Sequence, residues 1–330
     1  MKLFDFGNTH LKVSKIGLGL AALGRPGYIN IGHNSDLNGK TDLNSMELHS
    51  GKMLDLAYLH GVRYFDLARS YGKAENFFKN WQEKNQEYLN VVVGSKWGYE
   101  YTGDWKVDAS IHEVKVHSLA QLDKQWIESL EIMNRKPDIY HIHSATIDSG
   151  VLQNQKIIDR LWELRENGVI IGLSSTGYEQ KNTIEMALGL KKGNDQLFQS
   201  IQVTFNVLEQ STEEILKYAS NAGCGIIVKE ILANGRLSKR NTEPGLQDKI
   251  NIIDQIASKY NVAIYAICMA YAMQNNWSSV VLSGASTEEQ LLSNINATKI
   301  QLTNSEITQL QNIQEQPKEY WRKRSELIWN

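Results

Sequence analysis

Four polar side chains stand where short apolar runs end. Asp66 closes the run Tyr64-Phe65-Asp66, Lys96 closes Val92-Val93-Gly94-Ser95-Lys96, and His143 closes Ile139-Tyr140-His141-Ile142-His143. Tyr71 follows shortly after Asp66. Side chains alternate between faces along an extended strand. Tyr64, Asp66 and Ala68 therefore share one face, as do Val92, Gly94 and Lys96, and Ile139, His141 and His143. If the runs lie side by side, a carboxylate, a phenol, an ammonium and an imidazole meet at one end. Such a set suits proton transfer. A free tyrosine ionises near ~10, and an ammonium beside it lowers that by roughly 1–3 units. Any one of these residues alone is an ordinary structural group; it is their joint placement that marks a candidate site. His141 sits one layer deeper and reads as a hydrogen-bonded core histidine.

The elements that must position them repeat one theme. Runs at 15–20, 64–68, 90–97, 138–144, 169–175, 200–206, 224–230 and 279–285 read as strands, each followed by a segment of helical period. In 151–167 the apolar residues Leu152, Ile157, Ile158, Leu161, Trp162 and Leu164 recur at helical spacing, and Gly168 follows as a C-cap. Ser211 with Glu214, Thr287 with Gln290, and Thr303 with Glu306 read as capping boxes. Strand then helix, repeated without a break in composition, predicts one α/β domain over 1–330, a closed (β/α)8 TIM barrel. Residues 3–13, with Gly7-Asn8 at the centre, read as an N-terminal β-hairpin that plugs the barrel's N-terminal end. Barrel active sites lie at the C-terminal ends of the strands, where Asp66, Lys96 and His143 fall.

Two stretches lie outside the repeat. Residues 22–46 form a Gly-, Asn- and Asp-rich loop after the first barrel strand, of a length that is usually functional or disordered. The tail 317–330 carries Tyr320, Trp321 and Trp329, and its basic run Arg322-Lys323-Arg324 reads as a solvated helix face. Loop and tail are expected to shape the substrate pocket. Trp97 and Tyr99, with Tyr101 and Trp105 beyond them, are expected to wall it.

Composition excludes several classes. The chain has 330 residues, is 42% apolar and 22% charged, and carries a net charge of −2. These values fit a well-cored globular chain, not a disordered or polybasic one, and give no reason to expect nucleic acid or an anionic membrane as partner. The longest apolar run, Val262 to Met273, is short of the ~18 residues of a span and reads as a buried helix. Cys224 and Cys268 are the only cysteines, so neither a disulfide framework nor a metal site is expected. With no signal-peptide core at the N-terminus, a cytoplasmic location is expected. Gly17, Gly19 and Ala22 match a loose Rossmann fingerprint, but the turn Gly24-Arg25-Pro26-Gly27 follows where a helix should start. Glu230 ends the seventh strand as a glycosidase carboxylate does, yet the fourth ends in His143 rather than a second carboxylate.

The run Gly61-Val62-Arg63-Tyr64-Phe65-Asp66, with Tyr71-Gly72, Gly94-Ser95-Lys96 and Asp138 to His143, resembles the aldo-keto reductase family. So do Ile16 to Gly19, Gly172 to Ser175, Gln202 to Asn206, Leu232 to Leu237 and Ser283 to Ser286. The resemblance runs through nearly the whole chain, apart from 22–46 and the tail. It implies an NAD(P)-dependent oxidoreductase acting on a small carbonyl or alcohol substrate, an aldehyde, ketone or sugar-like compound. The family's catalytic tetrad falls on Asp66, Tyr71, Lys96 and His143. Tyr71 would be general acid in reduction and base in the reverse direction, made acidic by Lys96, which Asp66 orients. His143 would donate a hydrogen bond to the carbonyl oxygen. A cofactor-binding regulatory subunit of the same fold, without catalysis, is the alternative that the intact tetrad argues against.

The resemblance also implies the cofactor residues. Ser174, Ser175 and Gln202 would hold the nicotinamide carboxamide, with Gly19 and Leu20 nearby. Leu232 and Gly235 follow strand seven, and Gly284, Ser286, Thr287, Gln290 and Asn294 would hold the adenosine end. The aromatic residue that often stacks on the nicotinamide is replaced by Lys229, which reaches the pyrophosphate or pairs with Glu230. The family default is NADPH. Here 284–290 carries Glu288 and Glu289, and no base follows until Lys299, which leans toward NADH.

Overall fold

A computed structural model describes all 330 residues. The first strands, β1 (Leu3–Asp5) and β2 (Lys12–Ser14), pair antiparallel as the expected hairpin. Then follow β3 (Ile16–Gly19), β4 (Tyr64–Asp66), β5 (Val92–Trp97), β6 (Tyr99–Tyr101), β7 (Glu113–Lys115), β8 (Ile139–Ala145) and β9 (Ile170–Ser175). The chain continues with β10 (Lys191–Lys192), β11 (Asp195–Gln196), β12 (Ser200–Thr204), β13 (Gly225–Lys229) and β14 (Val280–Ser283). The order β3-β4-β5-β8-β9-β12-β13-β14 closes on itself as a barrel, and all its pairings are parallel. All eight strand expectations fall on barrel strands, each within a few residues. The antiparallel pair β6–β7 is an excursion after the third barrel strand, and β10–β11 is a smaller one.

Alternation explains the barrel interior. Inward residues Tyr64, Val92, Ile139, Ile170, Ile227, Val280 and Leu282 form one apolar layer with Phe6, Leu11 and Val13 of the hairpin. Phe6 is fully buried there, so the hairpin plugs that end of the barrel. Gly225 makes the fit: a Cβ on it would approach the Phe6 ring to 2.4 Å. Outward strand residues join a second cluster of 76 buried residues shared with the helices. Helix Ile264–Met273 is buried along nearly its whole length, as its apolar run predicts. His141 lies inside the barrel, hydrogen-bonded to Ser200 Oγ at 2.9 Å.

Local signals fared unevenly. Thr303 and Glu306 form a complete capping box, and Thr287 Oγ1 accepts from the Gln290 amide. Ser211 caps nothing: it turns back to Glu209, and the helix starts at Glu213. The loop after β3 ends earlier than 46, because Asp42 caps a helix over Leu43–Leu59. The tail forms a helix over Pro317–Ser325, but its basic run is not a solvated face. Arg322 is exposed as expected. Lys323 pairs with Glu243 and Glu315, and Arg324 pairs with Glu230 at 2.7 Å. Acidic partners distant in sequence overrode the local pattern.

Buried neutral histidines make the fold acid-sensitive. His33 and His141 are 0% exposed. Burial holds His33 down at about 4 and His141 at about 3, the latter also opposed by Lys96. Each folded value lies below the unfolded one, so the unfolded chain takes up protons first as pH falls. Stability is complete above pH ~6.5 and drains as pH drops toward these folded values, by about 2 kcal/mol per histidine between pH 7 and pH 5. Urea unfolding at the two pH values is expected to show a clearly lower midpoint at pH 5; equal midpoints would contradict it.

Candidate active site

The C-terminal ends of the strands open into one cavity of about 1220 Å³. Asp66, Tyr71 and His143 line it, and Lys96 lies beneath, fully buried. β4 and β5 are paired in register, Asp66 opposite Gly94, which brings Lys96, two residues further along the shared inward face, within reach of Asp66. Lys96 Nζ donates to Asp66 Oδ2 at 2.5 Å and to the Leu67 carbonyl at 2.8 Å. Asp66 Oδ1 accepts from Gln202 Nε2 at 2.8 Å and from Tyr64 Oη at 3.2 Å. The carboxylate is thus held by three donors from different strands.

Tyr71 is placed by the turn after β4. Lys96 Nζ stands 4.7 Å from its ring centroid, and the His143 ring 5.4 Å away, edge-on. The Tyr99 ring packs at 4.9 Å on the other side of His143. The structure therefore brings the four sequence-designated residues together. It corrects one expectation, the acidified phenol. Burial pushes the Tyr71 phenol well above its usual range, Asp66 adds to this, and Arg25 opposes it. Burial and the Asp66 carboxylate together outweigh what the Lys96 ammonium offers the resting phenol. Tyr71 is a protonated hydroxyl at neutral pH. His143 is held well below its usual value by burial, with Lys96, Arg25 and Lys229 reinforcing the effect, so its imidazole is neutral. One proton donor and one neutral hydrogen-bond donor thus face the same cavity.

Sequence reasoning missed Arg25. Its side chain is 2% exposed, donates to the Ser70 carbonyl at 3.0 Å and pairs with Glu113 at 2.8 Å. Its guanidinium lies 5.3 Å from the Tyr71 ring, 5.4 Å from Tyr28 and 4.6 Å from Trp329. Trp329 stacks on His112 at 4.2 Å. Backbone hydrogen bonds run both ways between Tyr28 and Asn330 at 3.0 Å, which straps the tail onto the loop after β3. The sequence signal for Arg25 is weak, a basic residue in a Gly-Arg-Pro-Gly turn, and its partners come from both ends of the chain.

The cofactor expectations divide. Gly19, Ser174, Gln202, Lys229, Leu232, Gly235, Gly284, Gln290 and Asn294 line the same cavity, as does Tyr99. Trp97 does not. It is fully buried on the outward face of β5 against His117, since Lys96 takes the inward position. Ser175 alternates away from Ser174 and bonds to Gln180 at 3.4 Å. Leu20 is buried outside the cavity lining. Ser286 and Thr287 are also off the lining and serve the helix Glu288–Asn296, the first through its amide to Gln290 Oε1, the second as its cap. Lys229 does not pair with Glu230. It donates to Thr204 Oγ1 at 2.7 Å, because Arg324 has taken the carboxylate. Glu230 is held down at about 2: Arg324 and Lys229 outweigh its burial.

A dinucleotide fits these residues. The cavity runs unbroken from Tyr71 past Gln202 to Gly284, where a Cβ would meet nothing within 4 Å. At that end Asn294 gives its amide to Ser283 Oγ at 2.8 Å and leaves Oδ1 buried without a partner, an acceptor for an adenine amino group. No group of residues that could hold a metal ion is present, and no helix is long and apolar enough to cross a membrane.

Comparison with known proteins assigns the family. The model of the aldo/keto reductase family matches residues 15–315. The chain is 21% identical over 291 residues to an aryl-alcohol dehydrogenase of Pestalotiopsis microspora, covering 79% of this chain and 71% of that one. It is 24% identical over 282 residues to the norsolorinic acid reductase of Aspergillus flavus, covering 79% and 70%. An aldo-keto reductase of Bacillus halodurans, solved in its holo form, has the same fold with a TM-score of 0.72 at 21% identity, over 96% of this chain and 97% of that one. The chain belongs to the aldo/keto reductase family and is an NAD(P)H-dependent oxidoreductase.

Proposed function

We propose that the protein reduces aryl aldehydes or aryl ketones to alcohols, and runs the reverse oxidation, with Tyr71 as the proton-transferring group. The observation that carries the reading is the Tyr71 ring packed against both the Lys96 ammonium and the His143 imidazole at the rim of the cavity. When bound, a reduced nicotinamide supplies the hydride to the carbonyl carbon. The carbonyl oxygen lies between the Tyr71 hydroxyl and the His143 imidazole. His143 donates a hydrogen bond as negative charge builds on that oxygen. Tyr71 releases its proton to the oxygen, since an alkoxide is a far stronger base than a phenolate. Lys96 limits the cost of the phenolate left behind, and Asp66 keeps Lys96 charged and in place. Ser174 and Gln202 are the residues that would hold the nicotinamide carboxamide, Gln202 through its carbonyl because its amide is committed to Asp66. At the other end Glu288, Glu289 and the absence of a base in 284–298 favour NADH.

The walls of the cavity support this substrate class. Tyr28, Tyr99 and Trp329 give the substrate end of the cavity flat apolar faces, and two of the similar proteins are named for aryl alcohols or a reductase of norsolorinic acid. Trp329→Ala removes one wall without touching the tetrad. It is expected to raise KM for aryl aldehydes about 10-fold, the value of one lost aromatic contact, with kcat little changed. A panel of aryl and short aliphatic aldehydes, read by NADH oxidation, checks this. Equal efficiency on both classes would sink the aryl assignment.

A further inference from the structure

The loop after β3 reaches the adenosine end of the cavity. Its short helix His33–Asp36 places Asp36 there, with the side chain only 4% exposed. Asp36 Oδ1 takes Arg240 Nη2 at 2.6 Å, and Oδ2 takes Gln290 Nε2 at 3.0 Å. Asp36, Arg240, Gln290, Gly284 and Asn294 all line the one cavity that holds Tyr71. Gln290 is engaged at both ends, since its Oε1 accepts from the Ser286 amide at 2.9 Å. So a base does stand at this end after all, brought from a distant segment, but a carboxylate already occupies it.

We infer that Asp36 selects the cofactor, accepting a hydrogen bond from the adenosine ribose and holding Arg240 away from a 2′-phosphate, so that the enzyme uses NAD(H). The inference rests on the dinucleotide reading of the cavity. A ribose hydroxyl donates to a carboxylate; a 2′-phosphate carries about −1.5 to −2 charge and meets like charge at the same place. Glu288 and Glu289, in the first turn of the next helix, add to the repulsion. Arg240 is the side chain that would otherwise clamp the phosphate with its planar pair of donors. Asp36 mimics that phosphate, filling the same donors from within the chain.

Titration of the purified protein with NADH and with NADPH, followed by nucleotide fluorescence, tests this as binding, without turnover. The wild type is expected to bind NADH more than about 10-fold tighter, one close like-charge contact being sufficient for that ratio. Asp36→Asn, which keeps shape and removes the charge, is expected to shift the ratio about 10-fold or more toward NADPH. Adding Arg240→Ala to it is expected to abolish the NADPH gain. A wild-type preference for NADPH, or a ratio unmoved by Asp36→Asn, overturns the inference while leaving the oxidoreductase reading intact. Binding of neither dinucleotide by the wild type would overturn both.

Discussion

Tyr71→Phe is expected to lower kcat for carbonyl reduction by about 10²–10⁴-fold, the usual contribution of a positioned general acid. The Kd for the nicotinamide cofactor should hold, and so should stability. The substitution removes one hydroxyl from a ring held by its packing. The ring stays, and with it the packing against His143 and the face beneath the Lys96 ammonium. An effect confined to kcat and kcat/KM together is the signature of an interaction made only in the transition state. Steady-state kinetics at saturating cofactor checks it. Activity at the wild-type level would remove Tyr71 from the chemistry.

Lys96→Met carries the second large effect, on stability as well as rate. Lys96 is 0% and Asp66 3% exposed, so the variant leaves a carboxylate buried without its ion partner. Breaking a buried pair from one side costs about 3–5 kcal/mol. Gln202 and Tyr64 still donate to Asp66 and soften the loss. The double variant Asp66→Asn with Lys96→Met removes both charges. It is expected to regain much of the stability, because a neutral amide can still accept from Gln202, and to stay inactive, because no ammonium faces the phenolate. Urea unfolding and kcat measured on the same preparations separate the two roles. A Lys96→Met protein as stable as wild type would contradict the burial and pairing described here.

The barrel was legible because its signals are local. Val92-Val93, Ile139-Tyr140-His141-Ile142 and Ile170-Ile171 fill the inward and outward positions of buried parallel strands, six of the eight with β-branched residues, and the period of two then places Asp66, Lys96 and His143 on one rim. The same rule, applied to Trp97, would have put it outside: Lys96 and Trp97 are neighbours, and both cannot face inward. Ser175 beside Ser174 is the same case. Arg25, Asp36, Arg240 and Arg324 were not legible, since their positions depend on partners far along the chain. No periodicity in 22–46 announces that Asp36 meets Gln290, or in the tail that Arg324 meets Glu230. The acidity of Tyr71 was misjudged for a related reason. An ammonium near a phenol lowers its pKa only as far as burial and neighbouring carboxylates allow, and here burial and Asp66 outweigh it.

The most direct measurement follows the hydride itself. The protein is incubated with benzaldehyde and a reduced nicotinamide cofactor carrying deuterium on the transferring carbon, and the benzyl alcohol is analysed by mass spectrometry. Deuterium on the carbinol carbon from the wild type, with formation slowed by orders of magnitude in Tyr71→Phe, is the result expected. Alcohol without label, or label delivered equally fast by both proteins, would contradict hydride transfer completed by a proton from Tyr71.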